Sequence, residues 1–203
     1  MTNQPADNEA YGSFTGEINA DRVEILIGQL NRWITCKCVH ILWNCPGGEV
    51  SPAITLYTYF RGYPTELILY ASQAYSAGAV AFLGAKTRHA EKSASFMIHG
   101  VVSKFPDGHL VTIQELTETL AIAQADNQRV HAIIDANLEN LPTEENDYRI
   151  KELRLNATQA SHAGFLTVAE KGKLGTPFGP PPATRIFTLG RDPNDFRSGC
   201  FPH

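Results

Sequence analysis

Three nearly continuous apolar runs, Val39–Trp43, Leu67–Tyr70 and Ser95–Ile98, are separated by stretches whose apolar residues recur at helical intervals. Runs without polar alternation suit strands covered on both faces, as in parallel sheets. A connection longer than a dozen residues also favours parallel neighbours, because a hairpin would need only a tight turn. Asp21-Arg-Val-Glu24 has the spacing of a capping box, opening a helix with Val23, Leu26, Ile27 and Leu30 on one stripe. Val50 to Arg61 places Ile54, Tyr57 and Phe60 at helical intervals, and small residues run from Ala77 to about Ala85. The expectation is an α/β fold of repeated β-α-β units, a mostly parallel sheet covered by helices on both faces. Ligands in such sheets gather at the carboxyl ends of the strands.

Three chemically suggestive pieces fall at those ends. Asn44-Cys-Pro-Gly-Gly48 follows the first run, Ser76 the second, and His99 the third. A serine among small residues where a strand turns into a helix presents its hydroxyl at a sharp bend and leaves room for a carbonyl substrate. Ser76 is therefore a nucleophile candidate; the alternative is that it only caps the helix that follows. The two glycines allow positive φ and a close backbone approach by a ligand, or simply a tight turn. An imidazole titrates near neutrality and can take a serine proton and return it to a leaving group. Of seven histidines, His99 alone sits at the end of a strand expected beside the serine bend.

Composition narrows the alternatives. The chain has 203 residues, with 17 Lys and Arg against 21 Asp and Glu for a net charge of −4, and no apolar stretch of spanning length. One soluble domain is expected, with no nucleic-acid partner and no membrane association. Cys36 and Cys38 are too close for a zinc knuckle and no second ligand pair follows, so Cys36, Cys38, Cys45 and Cys200 read as reduced thiols and neither a metal nor a cofactor is implied. The first ten residues are polar, are expected to be disordered and lack a signal-peptide pattern, which suggests a cytoplasmic protein.

The order Pro46-Gly-Gly48, Ala74-Tyr-Ser76-Ala-Gly78-Ala79, Met97-Ile-His99 resembles the Clp protease proteolytic subunit family of the Clp protease/crotonase superfamily. The resemblance covers roughly Tyr11 to Leu166, which places a catalytic domain at about residues 11–170 and a Pro/Gly-rich linker and tail at 171–203. It implies a serine endopeptidase acting through an acyl-enzyme inside a homo-oligomeric ring, with peptides or unfolded proteins as substrates and an AAA+ unfoldase as a partner. The same resemblance gives the N–H groups of Gly48 and Ala77 the oxyanion role, and it places the segment after His99 along the bound peptide.

Counting back from Gly164 puts Glu152 where the family carries its aspartate. Asp147 is the alternative acid, and both also fit a solvated charged face with Lys151. The chain departs from the family pattern at Ser72 for glycine, Ala77 for methionine and Gly100 for glutamine. Thr112-Ile-Gln-Glu115 is a further capping box, opening a long helix with Leu116, Leu120, Ala123, Val130 and Ile134 on its apolar side. Gly179-Pro-Pro-Pro182 reads as a stiff linker and 183–189 as an edge strand. Beside the peptidase stand two other readings: a catalytically inactive ring subunit, and a crotonase-like acyl-CoA enzyme that would need no serine–histidine pair.

Overall fold

The computed structural model describes residues 9–103, 105, 107–108, 110–141, 147–167 and 186–189. Strands β1 (Glu9–Thr15), β2 (Cys38–Cys45), β3 (Glu66–Tyr75) and β4 (Thr87–Ile98) pair in chain order as parallel neighbours. β5 (Leu153–Asn156) lies antiparallel on the β4 edge, and β6 (Ile186–Leu189) lies parallel to β1, giving the order β5-β4-β3-β2-β1-β6. The connecting helices are α1 (Ala20–Arg32), α2 (Val50–Arg61), α3 (Ala77–Phe82), α4 (Ile113–Asn137) and α5 (Ala157–His162). The mostly parallel α/β architecture is as expected, and β6 falls within the run read as an edge strand. The linker at 179–182 and the tail from 191 lie outside the described residues, as do residues 1–8; β1 already begins at Glu9.

The helices do not cover both faces. Buried residues of all five, among them Leu26, Leu56, Val80, Ile134 and Ala160, join Phe14, Trp43, Leu69 and Phe96 of the strands in one core cluster. Among the described residues the opposite face carries a small cluster of Cys38, Ile68 and Tyr70 with Leu42 packed against it. Strand order explains the difference. Four parallel strands laid down successively in one direction, each joined by a right-handed crossover, put every crossover helix on the same side.

The start of α1 also differs from its sequence reading. Asn19 is the cap, its Oδ1 accepting the Arg22 amide at 2.9 Å, and Asp21 lies inside the first turn. Ile18 is pinned to the diglycine turn, its amide donating to Gly47 O at 2.8 Å and its carbonyl accepting from Glu49 at 2.9 Å. That bridge makes Asn19 the last extended residue, the position from which a side-chain oxygen reaches the free helical amides. The Thr112–Glu115 capping box forms as read.

Two buried polar side chains hold the layers in register. Trp43 stacks on Phe14 at 4.7 Å, meets Phe60 edge-on at 6.0 Å, and donates its indole N–H to Gly78 O at 3.2 Å. Among the described residues the guanidinium of Arg88 has no carboxylate partner; it donates to the carbonyls of Leu83, Ala85, Gly164 and Phe165. Burial lowers its pKa to about 10, which still leaves it charged at neutral pH. One side chain thus ties the end of α3 to the segment after α5.

Candidate active site

Ser76 stands between β3 and α3 with φ 52° and ψ −126°, one of two non-glycine residues with positive φ among those described. Its amide donates to Met97 O at 2.7 Å, and its side chain makes no capping bond to α3. The alternative reading of this serine, as a helix cap, therefore has no hydrogen bond behind it. The bend leads into a closely packed helix. A Cβ at Gly78 would lie 2.6 Å from Cys45 Sγ, so α3 runs directly over the end of β2. Holding a non-glycine residue in this conformation costs on the order of 1–3 kcal/mol, a cost typical of functional bends.

The diglycine turn lies against the serine. A Cβ on Gly47 would fall 3.1 Å from Ser76 Cβ and 3.5 Å from its Oγ. Gly48, at φ 134°, has no space for a side chain, since a Cβ there would meet Ile18 O at 2.1 Å. Among the described residues, neither the Gly48 amide nor the Ala77 amide donates to an intramolecular acceptor. Two free N–H groups flanking a hydroxyl are what an oxyanion needs.

Ser76, Ala77, Gly48 and His99 line one cavity of about 770 Å³, closed on its far side by Ile122, Ala123, Asp126, Val130 and Ile134 of α4. His99 follows directly on β4, which places it two residues beyond the carbonyl that holds Ser76. Its Nδ1 lies 2.5 Å from Gly100 O. A carbonyl only accepts, so Nδ1 is the donor in this contact. The next peptide N–H, that of Val101, donates to Asn127 Oδ1 of α4 at 2.7 Å.

The two carboxylates read as candidates for the acid sit elsewhere. Glu152 is exposed and bonds Arg154 Nε at 2.5 Å, while the Arg154 guanidinium lies 5.4 Å from the Tyr75 ring centroid. Asp147 accepts from the Arg149 amide at 2.9 Å. Neither is hydrogen-bonded to His99, and neither lines the cavity. Residues 101–103, in the segment that the resemblance lays along the bound peptide, have no regular structure.

Cys45, inside the diglycine motif, does not compete as a nucleophile. Burial pushes its thiol up to about 12 and it points at Gly47 O, 3.4 Å away. Among the described residues no group of three His, Cys, Asp or Glu side chains is arranged to hold a metal.

The sequence reading missed Asn127, Arg154 and the whole α4 wall. A signal for Asn127 was there: it continues the series Leu120, Ala123, Val130, Ile134 at helical spacing, a polar residue on an otherwise apolar stripe. The model of a protein family described as Clp protease matches residues 13–169. No curated protein matches the chain.

Proposed function

Because the chain belongs to the Clp protease family, we propose that it is a serine endopeptidase whose reacting pair is Ser76 and His99. The observation that carries this is the strained, uncapped Ser76 hydroxyl sharing one cavity with the imidazole and two unused amides. Ser76 Oγ attacks the peptide carbonyl while His99 Nε2 takes its proton, and the oxyanion rests on the N–H groups of Gly48 and Ala77. The imidazolium then protonates the leaving amine. Water, deprotonated by the same nitrogen, releases the acyl group from Ser76 and restores the enzyme.

Glu152 is the proposed acid behind His99, with Asp147 as its alternative. To serve, Glu152 leaves Arg154 and adds its charge beside the imidazole, whose Nδ1 keeps its contact with Gly100 O. Assembly of copies into a ring is part of the proposal, supported by the apolar side of α4, where Ile113, Leu116 and Leu120 stand exposed. Peptides or unfolded chains are the proposed substrates, and an AAA+ unfoldase is the proposed partner that delivers them.

A fluorophosphonate probe tests the assignment, since it reacts with activated serines. Labelling at Ser76 that is lost in Ser76→Ala is the expected result. No labelling of the assembled protein, or labelling of another serine, removes the peptidase reading and leaves an inactive subunit on the same fold.

A further inference from the structure

A serine–histidine pair works as a base only if the imidazole presents an unprotonated nitrogen to the hydroxyl, and this is decided by what the other nitrogen bonds. In this chain that partner is the carbonyl of Gly100. The same peptide group carries the Val101 N–H, which is bound by Asn127 Oδ1 at 2.7 Å. One rigid amide plane therefore joins two hydrogen bonds, imidazole to carbonyl on one side and amide N–H to Asn127 on the other. We propose that Asn127 is a positioning residue: through the Gly100–Val101 peptide it sets the tautomer and the orientation of His99. The inference rests on Ser76 and His99 being the reacting pair.

The surroundings make the plane a fixed part of the site. Asn127 belongs to α4 one turn before Val130, which is buried in the core, so its own backbone is anchored. A Cβ on Gly100 would contact Arg149 O and Asn127 Oδ1, both at 3.5 Å, so Gly100 lies close to α4 and to the turn at 148–150. That turn is itself clamped to α4: Arg149 Nη2 bonds both oxygens of Asp135 at 2.8 and 2.9 Å, and the Tyr148 hydroxyl donates to Asp135 at 3.1 Å. The Gly100–Val101 peptide thus lies near both α4 and the turn clamped to it, and its two hydrogen bonds fix its orientation.

The electronic effect runs the same way as the geometric one. An amide whose N–H is hydrogen-bonded becomes a stronger acceptor at its carbonyl, since bonds in a chain polarise one another. Gly100 O then stabilises the positive charge that develops on His99 as it takes the serine proton, part of the work a carboxylate does in a triad. This accounts for a site in which Glu152 is bound to Arg154 and His99 Nδ1 meets a carbonyl instead of a carboxylate.

The experiment uses the full chain with ¹⁵N-labelled histidine and reads two quantities, the ¹⁵N shifts of His99 and the rate of fluorophosphonate labelling at Ser76. In the unaltered protein the shifts report a proton on Nδ1. Asn127→Leu, which removes the acceptor at similar size, mixes the two tautomers and slows labelling on the order of 10²-fold, the cost of a displaced catalytic group. Asn127→Asp keeps an oxygen in place and restores both. Should Asn127→Leu not fold, Asn127→Ala carries the same expectation. Unchanged shifts and an unchanged labelling rate in a folded acceptor-less variant overturn the proposal, as does slow labelling with the tautomer intact. Absence of labelling in the unaltered protein removes the peptidase reading, whereas tautomer loss in Asn127→Leu that Asn127→Asp reverses still supports the role of Asn127.

Discussion

The amide of Ser76 is bound to the carbonyl of Met97 at 2.7 Å, so the bend that presents the hydroxyl is fastened to the strand that ends in the imidazole. Two residues that are 21 positions apart thereby fix where Ser76 and His99 stand relative to one another. The link uses main-chain atoms only, and it survives any change of the two reacting side chains.

Removing the strain at the bend separates stability from activity. Ser76→Gly and Ser76→Ala both abolish labelling, but glycine tolerates φ 52° and alanine does not. After the greater chain entropy of glycine is counted, Ser76→Gly is expected to be more stable than Ser76→Ala by about 1 kcal/mol, measured by urea unfolding. An unstrained bend would instead leave Ser76→Gly the less stable of the two, by the entropy of glycine alone.

Glu152 and Arg154 make opposite predictions for the acid. Freeing the carboxylate with Arg154→Gln is expected to speed labelling of Ser76, and Glu152→Gln to slow it on the order of 10²-fold. A slow Asp147→Asn alongside a normal Glu152→Gln assigns the acid role to Asp147.

Stability is expected to fall as pH drops from about 6.5, the ordinary histidine value, and two side chains are responsible. Burial lowers the pKa of His40, even though Glu9 lies 3.5 Å from its Nε2 and pulls the other way. Burial also lowers that of His131, with the Arg149 charge adding to it. In both, the unfolded chain takes up the proton first, so the contribution is complete above the unfolded value and is lost as pH falls towards the folded one. Urea unfolding between pH 7.5 and 5 checks this; His40→Gln combined with His131→Gln should flatten the curve.

The outer half of α4 supplies the test of assembly. Ile113, Leu116 and Leu120, spaced at i, i+3 and i+7, are 86%, 55% and 55% exposed, an apolar stripe left open by the described residues. Leu116→Glu with Leu120→Glu is expected to lower the native mass towards that of one chain without lowering the melting temperature of the subunit. An unchanged oligomer would place the contact elsewhere.

The sequence alone determined what depends on near neighbours. Strand-to-helix alternation, the capping box at Thr112, the diglycine turn and the serine bend are short-range features. Each is set by the steric and hydrogen-bonding preferences of a few adjacent residues, and each is found where it was read. Tertiary structure decided whatever depends on residues brought together from afar. Strand order put the crossover helices α1, α2 and α3 on one face, and α4 delivered Asn127 to a peptide 26 positions earlier in the chain. The path of the backbone also set Glu152 beside Arg154 and away from His99. A carboxylate or an amide has the same local preferences whether it faces solvent or a catalytic base, so only the three-dimensional arrangement selects its partner.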